Sequence, residues 1–545
     1  MTACSLFSGG QYVLSLCIGL ALLPAAPAFA AAVPPGAELA ARQEIVRQNI
    51  AEPASLDPHK AESDNEFAII NDFFERLVAV NDDGTVEPRL AASWEQKQPT
   101  LWIFHLRPHL TWSNGDALTA RDVVSSWRRL VSPDTASPYA SYLANMQVAN
   151  AADIVAGKKP PEALGIKALD DLTLEIRLDQ PLSYFMDMLA HQALAPVNSE
   201  LIRRWGDTWT QPGKFAGSGP FTLQEWVVNE KVVGVRNGRY WDNEHTIIDK
   251  VTFLSLVSEN SALNRYRSDE IDIVKTVPEI QFAALKKKLG DEVRISPQFG
   301  TYFYDINTGK PPFDDVRVRL ALNLGLDREI IAADIMGQGQ TPAYMFSAPD
   351  IGGFKPAPPA YAHWPRERRI AEGKKLLAQA GFGETRPLKF TLLYNTSETH
   401  RRLAIAASSM WKKNLGVEAT LSNQEWKTLF SSVRSGNFEV SRTGWYADYS
   451  NPATFLNNFR SQDSGNYAKY SNADFDRALT KAADASSVSK AMEYYQEAED
   501  ILAKDAPGIP IFYHVAARLV KPYIGGYYET RLGYISTKDL YVLHH

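Results

Sequence analysis

Both cysteines of this chain, Cys4 and Cys17, lie within its first thirty residues, and those residues read as an export leader. The apolar run VLSLCIGLALL is followed by PAAPAFA, whose small residues Ala28 and Ala30 suit a signal peptidase, so cleavage is expected after Ala30. The leader carries no Lys or Arg, which leaves the amino terminus as its only positive charge. A retained anchor is disfavoured because the run falls short of the roughly 20 apolar residues a spanning helix needs. Lipidation at Cys17 is disfavoured by the bulk of Leu16. What remains of the 545 residues, about 515, must therefore fold without a disulfide, a thiolate metal site or a thiol nucleophile. A chain of that size buries a core large enough to do without staples.

Length predicts two to four domains, and strand-like and helix-like segments alternate along the chain, which predicts an α/β protein. In LWIFHLRPHLTWSNGDALTARDVVSSW the alternation of Trp102, Phe104 and Leu106 predicts a half-buried strand, and Asn114-Gly115 a tight turn. Thr119 with Asp122 three residues on predicts a capped helix whose apolar face is Val123, Val124 and Trp127. In ERRIAEGKKLLAQAGF, Ile370, Leu377 and Ala380 fall on one helical face and Gly381 is the expected stop, before a strand at KFTLLYN. The apolar strand IPIFYHVAARLV lies near the C-terminus; it either returns to complete an early domain or caps the last one.

Function classes narrow on charge and motif. With 57 basic and 63 acidic side chains the net charge is -6, without long runs, which points to neither nucleic acid nor an anionic membrane as partner. No HExxH, no GxSxG and no cysteine follows the leader, so a peptidase reading lacks a nucleophile or metal motif. The ten His are scattered without metal-ligand spacing. Most of the 12 Trp, 23 Tyr and 24 Phe are expected in the core, since aromatics bury large areas; a minority could line a large ligand cavity.

A series of segments, each weak alone, is specific in its joint order: SLDPHK (55–60), FHLRPHLTWSNGDALTARDVV, DTASPYASYL (134–143), GSGPFTLQEWVVNE (217–230), RYRSDEIDI (265–273), NTGKPPFDDVRVRLAL (307–322), LLYNTSETHRRLAIAASSMWKKNLGV, NQEWK and GWYADY. In these the chain resembles the peptide/nickel family of extracytoplasmic solute-binding proteins of ABC importers, above all its oligopeptide-binding branch. The resemblance implies a bilobed, hinge-closing periplasmic-binding-protein fold with an additional domain. It implies a discontinuous domain I (31–74, 199–299 and 516–545), a domain II (75–198) and a domain III (300–515), with ligand enclosed between I and III. It also implies a monomeric receptor without cofactor or catalysis, delivering short peptides to a permease in the inner membrane.

A peptide of variable sequence offers constant backbone amides, one ammonium and one carboxylate, and those are the groups such a receptor can hold. By resemblance Asp448, in GWYADY, binds the ammonium, while Arg442 and His400 hold the carboxylate of tripeptide-length ligands. Arg442 is expected on the same strand face as Asp448, six residues away. Glu62, Tyr139, Trp426 and Trp445 match further cleft positions, and Tyr446, beside Trp445, is expected to contact ligand with them. Seen without the resemblance, Asp448 could cap a turn, Arg442 could serve a surface ion pair, His400 could start a helix, and both tryptophans could be core. The departures are Met336 where the family has a lysine, Val433 (beside Arg434) where it has an arginine, and Gly300 and Tyr446 where a relative has a disulfide. Murein tripeptide, nickel and haem are ligands of other family members; the first, also an ammonium and carboxylates, is the serious alternative.

Overall fold

The computed structural model describes residues 33–61, 63–461, 463 and 465–545, without the side chains of Trp426 and Lys427. The leader with its expected cleavage point, and Glu62, lie outside the described residues.

One 11-stranded sheet organises most of the molecule. At its middle runs Gly508–Val520, the IPIFYHVAARLV segment. On one side it pairs antiparallel with Ile273–Val274, and beyond that lie Glu44–Asn49, Lys250–Ser255, Lys231–Arg236 and Phe221–Val227. On the other side it pairs antiparallel with Val293–Ile306, then come Val440–Tyr446, Lys389–Asn395 and Glu418–Gln424. This late strand thus joins an early set of strands to a later one. Its register against Val293–Ile306 shifts between Pro297 and Thr301, a bulge that bends the pair where the two halves of the sheet meet.

A separate four-stranded sheet holds Ala91–Gln98, Leu101–Leu106, Thr173–Arg177 and Ile166–Ala168. Here the local chemistry follows expectation. Gly115 takes a φ of 97° in the turn after Asn114, a conformation that favours glycine. Thr119 and Asp122 form a reciprocal capping box on the helix Ala120–Val131, which buries Val123, Val124 and Trp127. The Trp127 indole also donates to the Leu194 carbonyl at 3.2 Å.

The helix Arg366–Gln379 departs from its pattern. Its buried line is Arg369, Gly373 and Leu377, while Ile370 and Ala380 are half-buried. Arg369 turns inward because Asp327 (3.3 Å), Glu329 (3.2 Å) and the Tyr344 hydroxyl (2.9 Å) await its guanidinium there. The chain leaves the helix through Gly381 at φ 86°, as expected of a glycine stop.

Candidate functional site

The strand Val440–Tyr446 pairs with Val293–Ile306, setting Arg442 opposite Tyr304, Trp445 opposite Thr301 and Tyr446 opposite Gly300. Ladder pairing then stops, and Asp448 follows in a bend rather than on the strand itself. The cause is local: the Ala447 amide donates to the Phe299 carbonyl at 2.8 Å, and the Asp448 amide to Thr454 Oγ1 at 3.1 Å. The same hydroxyl accepts from the Trp445 indole at 3.3 Å, so Thr454 fixes both site residues. Asn451, not Asp448, accepts from the Ala453 amide, at 3.1 Å, where the helical turn Ala453–Leu456 begins. The Asp448 carboxylate is half-buried and has no hydrogen-bonding or ionic partner among the described residues. Burial, and secondarily the negative charge of Asp64, push its pKa up to about 7. A carboxylate in that state gains from any cation brought to it.

The positive end is assembled around Tyr302. Arg442 lies over the Tyr302 ring at 5.1 Å, and its Nη1 donates to Asn395 Oδ1 at 3.3 Å. The Tyr302 hydroxyl and His400 Nδ1 are 3.3 Å apart. His400 stands in the first turn of Glu398–Leu415, where Ser397 accepts from its amide at 3.4 Å, so it is a helix-start residue and a neighbour of Arg442 at once. His514, on the central strand, stacks on Tyr446 with ring centres 4.6 Å apart. Burial and the Arg442 charge hold both imidazoles down at about 3. Among the described residues Arg442 Nε and His514 Nε2 are buried without hydrogen-bond partners. A Cβ on Gly444 would stand 3.6 Å from Arg442 Nη2 and 3.8 Å from His514 Nε2, so the guanidinium and the imidazole both border Gly444. That is donor geometry for a carboxylate.

Arg442 and Tyr446 are four residues apart on the strand, about 13 Å, and Asp448 lies two residues farther in the bend, an interval on the scale of a short extended peptide. Trp445 and Tyr446 lie within it. Tyr446 is 54 % exposed. Trp445 is half-buried and packs against the main apolar cluster. Tyr139 rests against His191, ring centres 4.5 Å apart, and Phe67 at 5.7 Å. Trp426 opens the helix Trp426–Arg434; its side chain, like Glu62, lies outside the described residues.

The departures have visible consequences. Val433 is buried with Leu393, Leu429 and Phe438, and the exposed Arg434 lies over Phe430 at 4.8 Å, so Arg434 does not take the vacated place. Met336 packs on the apolar cluster around Tyr302 and Trp411. A Cβ on Gly300 would come within 2.8 Å of Tyr446 Cδ1, which explains why a glycine faces that ring.

Contacts cross between the segments that flank the site. Glu279 accepts from Thr399 Oγ1 at 2.8 Å and pairs with Arg402, on either side of His400. Elsewhere Asn451 Nδ2 donates to Asp187 at 3.1 Å, and Tyr184 stacks on Tyr449 at 5.6 Å. Thr454, His514, Asp64 and the Glu279 tie were not singled out from sequence. For His514 a signal exists: it interrupts the mostly apolar strand IPIFYHVAARLV.

Comparison with known proteins places these features. The family described as Bacterial extracellular solute-binding proteins, family 5 Middle, matches residues 85–467. The periplasmic oligopeptide-binding protein OppA of Salmonella typhimurium is 46% identical over 527 residues, 96% of this chain and 97% of that protein. A structure of the murein tripeptide-binding protein MppA in its unliganded open form superposes with a TM-score of 0.83 at 42% identity, covering 94% of this chain and 99% of the other. Haemophilus influenzae OppA in complex with RPPGFSPFR superposes with a TM-score of 0.78 at 42% identity, covering 93% and 100%.

Proposed function

Because the chain belongs to family 5 of the bacterial extracellular solute-binding proteins, we propose that it grips a short peptide by its two ends, Asp448 on the ammonium and Arg442 with His400 and His514 on the carboxylate. The protein is a periplasmic peptide-binding receptor serving an ABC importer. The observation that carries the two-ended grip is the unpartnered Asp448 carboxyl at one end of the interval and the unpartnered Arg442 and His514 nitrogens at the other. Between them the ligand backbone pairs with strand edges and its side chains meet Tyr139, Trp426, Trp445 and Tyr446. Glu62 belongs to the same cleft by resemblance.

The receptor acts as a monomer without catalysis, exported through a leader cleaved after Ala30, and docks closed on permease subunits of the inner membrane. Domain I comprises 31–74, 199–299 and 516–545, domain II 75–198 and domain III 300–515. The strands Val293–Ile306 and Gly508–Val520 both run through the I–III boundary, and the bulge at Pro297 to Thr301 supports a hinge there.

Calorimetry on ligand-stripped protein tests the grip. A free alanine tripeptide is expected to bind, and its N-acetylated and C-amidated forms each to bind at least about tenfold more weakly. Equal affinity for the capped forms would refute it. Murein tripeptide is the second reading, favoured by the TM-score of 0.83 to MppA. Native mass spectrometry of the protein as purified from periplasm separates the two by ligand mass.

A further inference from the structure

Three parallel strands, Glu44–Asn49, Lys250–Ser255 and Ile273–Val274, bring their carboxyl ends to one edge of the large sheet, the kind of edge where ligands meet open α/β sheets. Lys275 follows directly on the last of them. Its ammonium has one hydrogen-bond acceptor, the Asp64 carbonyl at a long 3.5 Å, and no carboxylate within ion-pair distance among the described residues. Two further cations stand beside it, and each is already occupied. Arg47 is held by Asp72 at 3.3 Å and Thr537 at 2.6 Å; Arg518 is held by Glu529 at 2.6 Å and by the Lys275 carbonyl. Among the described residues Lys275 is thus the member of the trio without a counterion, and Arg518 Nε is buried without a partner. Arg47, Lys275 and Arg518 line a common recess of about 20 Å³, room for one water-sized group.

The recess adjoins the chain that carries the ligand interval: Gly533, one of its walls, lies beside Gln298, and the next residue, Phe299, takes the Ala447 amide on its carbonyl. The Arg518 charge acts on the Tyr446 hydroxyl, and Asp64, whose carbonyl Lys275 touches, acts on both Tyr446 and Asp448. Desolvation holds the Lys275 amine down at about 8, with the charges of Asp64 and Glu529 opposing it from beyond contact distance. A desolvated cation lacking a partner is costly, and a carboxylate oxygen entering the recess would remove that cost while engaging Arg518 Nε.

We propose that Lys275, backed by Arg518, forms a subsite for a second carboxylate of the ligand, an acidic side chain distinct from the terminus held at Arg442. This subsite rests on the peptide-receptor reading above and narrows it to a preference for peptides with an acidic residue at one fixed position.

The test is calorimetry with alanine peptides of three to five residues carrying Glu or Gln at each position in turn. Wild-type protein is expected to bind Glu about tenfold more tightly than Gln at one position. Lys275→Met should bring that ratio to about one and Lys275→Arg should keep it, folding of both being checked by thermal melts. A ratio near one at every position in wild type overturns the subsite, as does a ratio that survives Lys275→Met. If no peptide binds wild-type protein at all, the receptor reading fails and the subsite with it. Binding of the plain alanine peptides without Glu discrimination sinks the subsite alone.

Discussion

Replacing Asp448 by Asn should make the empty protein more stable and the receptor worse. The Asp448 carboxyl is pushed from 3.8 up to about 7 by burial and by Asp64. Three pKa units correspond to at most about 4 kcal/mol of native-state cost for the ionised group, and relaxation of a half-buried site brings this to about 1–2 kcal/mol. The folded pKa exceeds the unfolded one, so between about pH 4 and 7 the native protein holds a proton that the unfolded chain has released. Stability therefore falls across that window as pH rises, and Asn escapes the fall. With about 2 cal/mol/K of unfolding entropy per residue, the gain above pH 7 is a melting shift of about 1–2 °C, vanishing below pH 4. The same change leaves a ligand ammonium enclosed without its counterion, which costs about 3 kcal/mol or about 150-fold in Kd. Scanning calorimetry from pH 4 to 8 with and without an alanine tripeptide measures both effects. An Asn variant with unchanged apo melting at pH 7.5, or with peptide affinity within threefold of wild type, would refute the assignment of an uncompensated ammonium-binding carboxylate.

Three further outcomes are expected. His514 is held at about 3 against an ordinary 6.5, so the unfolded chain takes up its proton first as pH falls below 6.5; His514→Phe should abolish about 1–2 kcal/mol of acid destabilisation between pH 6.5 and 4, read from urea titrations. Trp127→Ala removes a fully buried indole and its bond to Leu194 and should cost about 3–5 kcal/mol, visible as a lower urea midpoint by circular dichroism. Glu279→Gln weakens the tie to Thr399 and Arg402; a larger radius of gyration in small-angle scattering of the apo protein, and about threefold weaker peptide binding, are expected.

What could be read beforehand was mostly local. The capping box at Thr119 and Asp122 and the glycine stop at Gly381 involve neighbours along the chain, and their side chains decide them. Arg369 was illegible because its inward turn depends on Asp327, 42 residues away. Arg442 and Asp448 were read as partners on one strand; the strand ends at Tyr446 because Thr454, from the next helical turn, takes the Asp448 amide. The resemblance brought Arg442, His400 and Asp448 to one site, but His514 and Lys275 match no quoted motif. Each reaches the cleft only through sheet pairing with distant segments, as when Gly508–Val520 lies beside Val293–Ile306.

The position of that late strand also bears on how the molecule comes into being. Gly508–Val520 contributes the middle of the sheet yet is synthesised after both strands it lies between, and Gln43 bonds to Val542 across 499 residues. Until it has been made, Ile273–Val274 and Val293–Ile306 have nothing to pair with between them. Loop closure over such distances is slow. The large sheet of such a chain closes late, and until then the segments that form it keep the looseness in which a polypeptide can be threaded through a narrow membrane pore.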